Sequence, residues 1–534
     1  MGSWARGRDK SRPYMDPAAA WQSESVKSKR SFRRGIIGKE IFRMFVLSRS
    51  RWKIGTMFAI ALVLGFTISS AVFASRVSST LLQVSSDPYT NSTSQHSTEV
   101  EPDSYSNGST IVAATQVGRF ADGGASNIGW ATSTDSGTTW KSGFLPGTTA
   151  FATPAGTYDR LSDPSVTYDA AHQTWIISSL AISNASGTPV GAAVIVSLSS
   201  DGGLTWKPPV EVANANGGFF DKDWIVCDNT STSPYYGHCY VEWDLASNGD
   251  LVQMSMSSDG GSTWSAAQAT GDNATGLGGQ PLVQPGGTVI VPFLGLAGTI
   301  SSFTSTDGGA SWGSSVTIAS QSDHQVASLR TEALPSAEMD GSGKAYVAWQ
   351  DCSFESGCSA NDMVMSTSTD GTTWSALQLI PADAVGSGVD HFVPGLAVDP
   401  ATSGSTAHLA LAFYYYPNAN CSTSTCQLEV GFVSSTDGGS TWSTKTTLTS
   451  SPMNLAWLAN TTSGYMVGDY ISTSFSNGKA YPLFLTASAP NGAQLNESLF
   501  TMQAGLTIEG GTSAASGTQV VYLRSASPTV YTAF

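Results

Sequence analysis

Six copies of one short turn run through this chain of 534 residues. They read STDSGTTW (133–140), SSDGGLTW (199–206), SSDGGSTW (257–264), STDGGASW (305–312), STDGTTW (368–374) and STDGGSTW (435–442). The Trp residues at 140, 206, 264, 312, 374 and 442 are separated by 66, 58, 48, 62 and 68 residues. Spacing of that size fits one four-stranded unit per repeat, which predicts a ring of blades rather than a string of domains. Asp135, Asp201, Asp259, Asp307, Asp370 and Asp437 can each accept N–H groups of their own turn. Gly supplies the positive φ such a turn needs. The Trp buries a large apolar body between neighbouring sheets. The turns therefore read as structural at every copy.

Two further apolar runs precede most copies. The second unit shows the pattern: DPSVTYD, TWIISSLAI, AAVIVSLS, the turn, then WKPPVEV. Alternation and β-branched content predict strands. A first unit begins near Val100, and a seventh, YMVGDYISTSF with KAYPLFLTAS, has no copy of the turn. Seven units predict seven blades. Six is the alternative, depending on whether the tail VVYLRSASPTVYTAF joins the seventh unit or closes another. With the strands of a blade called A to D from the axis outward, the repeated turn joins C to D on one face. The starts of the A strands and the B–C loops lie on the opposite face, where a ring opens to ligands.

The N-terminus is a separate object. Residues 1–53 carry fourteen Lys or Arg against four Asp or Glu. Residues 54–74, IGTMFAIALVLGFTISSAVFA, are uncharged and long enough to span a bilayer. This predicts a basic cytoplasmic tail (1–53), a transmembrane signal anchor (54–74), a Ser/Thr-rich stalk (75–99) and an extracytoplasmic domain (100–534). A signal peptide cleaved near Ala74 is the alternative, which would leave the protein secreted. The formal charge of −15 includes +10 from the tail, so the remainder stands at −25. Such an acidic exterior argues against nucleic acid as a partner. A monomer touching the membrane only through its anchor is expected. The six Cys, 227, 239, 352, 358, 421 and 426, form three close pairs in sequence. In an oxidising compartment they predict disulfides between near neighbours. Metal binding is the alternative, which no CxxC pair supports. No cofactor is expected; calcium at an acidic mouth stays open, without a DxDxDG loop to carry it.

The residues at the A-strand starts and after the B strands are unusually polar. They are Glu101 and Asp103; Asp159, Arg160 and Asp163; Asp221, Lys222, Asp223, Glu242 and Asp244; Gln280; Arg330, Glu332 and Asp351; Asp390, His391 and Tyr414–Tyr416; Asp469 and Tyr470. As a set they predict a polar concave site. The three tyrosines either stack on a sugar ring or pack a loop. Arg160, Asp221, Lys222, Asp223, Arg330, Asp390, His391 and Asp469 are the candidate substrate contacts.

The six turns resemble the Asp boxes, or BNR repeats, of sialidase-like proteins of the neuraminidase superfamily, bacterial in type, over about residues 100–500. FDKDWIVCDN, GHCYVEWD, KAYVAWQD and GDYISTSFSNGKAYPLF also look like segments of that group. The resemblance implies an all-β β-propeller with a glycan as partner. It implies a glycoside hydrolase of exo-sialidase type acting on surface or extracellular glycans, or alternatively a non-catalytic glycan- or protein-binding scaffold. Sialidase chemistry takes an arginine triad for the sugar carboxylate, a Tyr nucleophile, a Glu that accepts its proton and an Asp acid–base. By position these roles fall to Tyr470, Glu332 and Asp163. The family's Phe/Tyr-Arg-Ile-Pro motif is absent; YDRLSDP is the closest text. Beyond residue 99 the arginines are Arg119, Arg160, Arg330 and Arg524, of which Arg160 and Arg330 fall at A-strand starts.

Overall fold

The computed structural model describes residues 75–76, 80–185, 187–511 and 513–514. The basic tail, the expected anchor at 54–74 and the segment 520–534 lie outside the described residues. Among the described residues no helix is long and apolar enough to cross a membrane. The fold is all-β; among the described residues the helical content is three single 3₁₀ turns, such as Ala246–Asn248.

Among the described residues six antiparallel four-strand meanders follow one another along the chain, and a seventh of three strands takes its fourth from Leu81–Gln83. We number them sheets 1 to 7 and keep A to D for their strands. The A strands are Glu99–Asn107, Arg160–Asp169, Phe220–Cys227, Leu282–Val283, Ser336–Met339, Asp390–Val398 and Ser472–Ser476. They contact one another in that cyclic order, and Ser472–Ser476 returns to contact Glu99–Asn107. Sheets 1 and 2 are joined through the pair Ala125–Leu161 into one eight-stranded sheet. The apolar core is divided among the seams. Between sheets 2 and 3, for example, Ile176, Leu180 and Val196 meet Ile225, Val241 and Trp243.

Each repeated turn lies between strands C and D, as the spacing predicts, and in each the Asp carboxylate takes the preceding Ser hydroxyl and an N–H of its own turn. In the third copy Ser257 Oγ donates to Asp259 Oδ1 at 2.9 Å, while the Gly261 N–H donates to Ser257 Oγ at 3.0 Å. The Thr263 N–H and hydroxyl reach the two Asp259 oxygens at 2.9 and 2.7 Å. Trp264 Nε1 closes the turn on Gly261 O at 3.1 Å. The turn also presses on the sheet before it. Gly203, at φ +75°, leaves no room for a Cβ, which would stand 2.7 Å from Val112 of sheet 1. Gly137, in the turn of sheet 1, meets Tyr481 of sheet 7 in the same way and so links the two ends of the series.

Sheet 7 has no repeated turn because it has no covalent C–D connection. Its fourth strand is Leu81–Gln83, paired antiparallel with Glu497–Met502. The segment read as a stalk is thus partly built into the domain. Val84 is buried, Asp87 accepts the Thr98 N–H at 3.1 Å, and Tyr89 packs edge-on against Phe144. The cause is the unmet backbone edge of Glu497–Met502, which needs a partner. The disulfides are Cys227–Cys239, Cys352–Cys358 and Cys421–Cys426, the near-neighbour set. The first ties a register pair of strands A and B in sheet 3.

A chain beginning at residue 80 keeps the full thermal stability of the domain, and one beginning at residue 86 melts at lower temperature. Differential scanning calorimetry of the two checks this; equal melting temperatures would show that Leu81–Gln83 adds nothing to sheet 7.

Candidate functional site

Four of the A strands are interrupted near their starts. The ladder to strand B slips between Val100 and Asp103, Ser162 and Ser165, Asp221 and Asp223, and Phe392 and Pro394. At each slip one residue takes a left-handed backbone: Glu101 (φ 55°), Asp163 (φ 46°), Lys222 (φ 44°) and Val393 (φ 54°). Three of the four precede a proline, Pro102, Pro164 or Pro394. Proline has no N–H to give the ladder, so a bulge is the place it fits. A left-handed non-glycine residue costs about 1–3 kcal/mol, a strain that concentrates where side chains are aimed at a task.

Three of these bulges bring charges together. The Lys222 ammonium stands 3.5 Å from Asp163 Oδ1 and 3.9 Å from Glu101 Oε1, and bonds Asp469 Oδ2. Asp469, just before strand A of sheet 7, also receives Arg330 through two N–H groups, Nε at 2.9 Å and Nη2. Arg330 lies on the connector from sheet 4 to sheet 5, fixed by its N–H bond to Tyr465 O at 2.7 Å. Five side chains from five segments thus converge, all buried: Glu101, Asp163, Lys222, Arg330 and Asp469. Arg119, the last residue of strand B in sheet 1, stands behind them and bonds Gln116 Oε1 at 3.0 Å. Gln116 in turn bonds Glu101. Arg119 Nε and Arg330 Nη1 are buried donors with no partner.

Burial and neighbours pull the protonation states apart. Burial, reinforced by the Asp163 charge, pushes Glu101 up to about 8. Burial also opposes ionisation of Asp469, yet Arg330 and Lys222 hold it well below the usual carboxylate range. Lys222 feels the reverse balance: burial disfavours its charge, and Asp469, Asp163 and Glu101 hold it well above the usual lysine range. Glu332 is half-buried with Oε2 unpartnered, and burial together with Asp469 raises it. Burial and then Arg330 lower Arg119.

The other sequence candidates are placed as follows. Asp221 accepts the Lys222 N–H at 3.0 Å and is pushed up to about 7 by burial. Asp223, Glu242 and Asp244 lie in the same sheet with both carboxylate oxygens unpartnered, each raised by burial. Tyr470 donates to Pro164 O at 3.0 Å and meets the half-buried Trp224 edge-on at 5.0 Å; burial raises it well above the usual tyrosine range. Arg160 is held elsewhere. Its guanidinium bonds Asp122 Oδ1 at 2.6 Å and Gly123 O at 2.7 Å, and covers the Phe120 ring. His391 bonds Asn361 O and Asp383, with Lys445 on the same carboxylate. Asp390 serves Asn361 and His324. Tyr414 and Tyr416 pack between sheets 6 and 7 and Tyr415 between sheets 5 and 6, with hydroxyls on Leu485 O, Ala327 O and Thr447 Oγ1 respectively. Among the described residues no group of three or more His, Cys, Asp or Glu is placed to hold a metal ion.

No protein-family model and no curated protein matches the chain. Solved structures similar to it include a Dyadobacter fermentans protein of unknown function, at 14% identity and TM-score 0.43, over 66% of this chain and 98% of that one. The intramolecular trans-sialidase from Ruminococcus gnavus is similar at 14% identity and TM-score 0.37, over 77% and 93%. A Trypanosoma rangeli sialidase is similar at 11% identity and TM-score 0.40, over 80% and 59%.

Two outcomes follow from the charge cluster. Glu101 binds a proton more tightly folded than unfolded, so its contribution to stability is complete below about 4.5 and is lost as pH rises towards about 8. In Glu101→Gln, denaturant midpoints between those pH values flatten relative to wild type; an unchanged slope would place the proton elsewhere. Lys222→Met takes the cation from Asp163 and Glu101 and one of two cations from Asp469. It lowers unfolding free energy by about 3–5 kcal/mol at neutral pH, read from urea unfolding.

Proposed function

We propose that the seven sheets form a seven-bladed β-propeller of the sialidase-like, Asp-box kind, and that this propeller is a glycan-directed hydrolase. Support for the ring comes from the cyclic contacts of the A strands and from the Gly137–Tyr481 approach between sheets 1 and 7. The observation that carries the hydrolase is the divided protonation of one carboxyl cluster. Asp469 is held ionised by Arg330 and Lys222 while Glu101 and Glu332 are raised. Carboxyl groups pushed to opposite states in one site are what glycoside cleavage uses. Glu332, half-buried and raised, is assigned as the acid that protonates the leaving oxygen. Asp163 is assigned as its partner, assisting water onto the sugar carbon. The half-buried Trp224, packed on the buried Tyr470, offers aromatic surface.

A strict sialidase is supported less. Arg160 is occupied by Asp122, and Tyr470 has a carbonyl rather than a base on its hydroxyl. The same two observations favour a second reading, a rigid glycan-binding propeller without turnover. A signal anchor at 54–74 that holds the propeller outside the cell or in the periplasm completes the proposal; the three disulfides fit an oxidising compartment.

A panel of fluorogenic glycosides, sialosides included, tests the hydrolase on the purified ectodomain. Glu332→Gln and Asp163→Asn each reduce kcat by about 100-fold or more on the sugar that is cleaved, and Tyr470→Phe changes it little. Absence of turnover on every glycoside, with glycan-array binding retained, would leave the binding propeller.

A further inference from the structure

Outside the charge cluster, the same face holds a histidine that three part-buried bonds orient. His324 sits on the connector that also carries Arg330 and Glu332. Its N–H donates to Asn361 Oδ1 at 2.7 Å, and Asn361 Nδ2 donates back to His324 O at 2.8 Å. This pair of bonds fixes the histidine backbone on the B–C loop of sheet 5. The ring is fixed separately: Nδ1 bonds Asp390 Oδ2 at 3.0 Å. Asp390 opens strand A of sheet 6 and is itself fully buried. Its other oxygen accepts the Asn361 N–H at 2.8 Å and Asn361 Nδ2 at 3.0 Å. Asn361 is fully buried as well. The His324 side chain, by contrast, keeps 24% of its surface in solvent.

We propose that His324 is a ligand-contacting residue at the rim of the glycan site, presenting Nε2 to a sugar hydroxyl or to an anionic group on the sugar, with Asp390 and Asn361 as its positioning residues. The assignment rests on the glycan-directed reading above. A carboxylate on Nδ1 fixes the tautomer, so that Nε2 is an acceptor when the ring is neutral and a donor when it is charged. The charged groups facing the ring are Asp390, which bonds it, and Asp323, which adjoins it in sequence and is itself bonded by Gln321 Nε2 at 3.0 Å. The Asp390 bond raises the imidazole above its ordinary value, with burial opposing. Asp390, a substrate contact by sequence, therefore acts through His324.

The test has two arms, both on the full ectodomain. In the first, the His324 ring is titrated by NMR in wild type and in Asp390→Asn. Its midpoint falls in the variant, because the carboxylate that favours the charged ring is gone; an unchanged midpoint overturns the dyad. In the second, His324→Gln is compared with wild type on the glycoside panel and on a glycan array, with melting temperature recorded alongside. Loss of about tenfold or more in binding or kcat/KM at an unchanged melting temperature supports the contact. Wild-type values for His324→Gln overturn it and leave the hydrolase standing. Array binding that depends on His324, with no turnover in any variant, retains the contact and removes the hydrolase. A wild-type protein that neither binds nor cleaves any glycan overturns both.

Discussion

Six of the seven sheets are each held close against the one before by a turn glycine that has no side chain to interpose. Gly203 against Val112 and Gly137 against Tyr481 are two of these contacts. The Asp, Ser, Thr and Trp around each glycine keep the turn rigid, so the spacing does not vary with the loop lengths between strands. On that regular frame the A strands meet at their starts. The site then has five segments to draw on and needs no long loop to gather them. The Lys222–Asp469–Arg330 group is the result: one carboxylate from sheet 7, one cation from sheet 3 and one from the connector ahead of sheet 5.

The architecture was legible because the repeated turns announce themselves six times and sit where the strand count requires. The near-neighbour disulfides were legible for a similar reason, since short separations leave few geometries. Asp163, Lys222, Arg330, Glu332 and Asp469, drawn from separate segments, lie close to one another on the face opposite the turns. What resisted reading was partnership. Arg160 and Arg330 occupy comparable places in sequence, yet Asp122 in a hairpin of sheet 1 captures the first and Asp469 the second. Nothing local marks that difference.

Arg119 was passed over because it ends a B strand instead of opening an A strand. His324 was passed over because a lone histidine in a polar connector carries no pattern. A usable signal did exist in Glu101-Pro102 and Asp163-Pro164, two acid–proline pairs at the same place in consecutive units. A proline that deep in a strand demands a bulge, and a bulge re-aims the residue before it. Of the two readings open for the three tyrosines of sheet 6, a sugar platform or packing, the structure shows packing: they end strand B, each hydroxyl finds a backbone or threonine partner, and the rings fill the seams on its two sides.

The seventh sheet is assembled from both ends of the domain's sequence, Leu81–Gln83 beside Glu497–Met502. For a chain that is made from its N-terminus, this sets an order of events. The strand that completes the last sheet emerges first and has nothing to pair with until more than four hundred further residues have followed. Sheets 1 to 6 can form as they appear, each leaning on its predecessor, but the final pairing is among the most non-local contacts in the protein and the slowest kind to find. A truncated or stalled product therefore carries an open edge on its last sheet and an unpaired N-terminal strand, which is a surface for pairing between copies. Completion of synthesis is, in effect, the quality check on this fold.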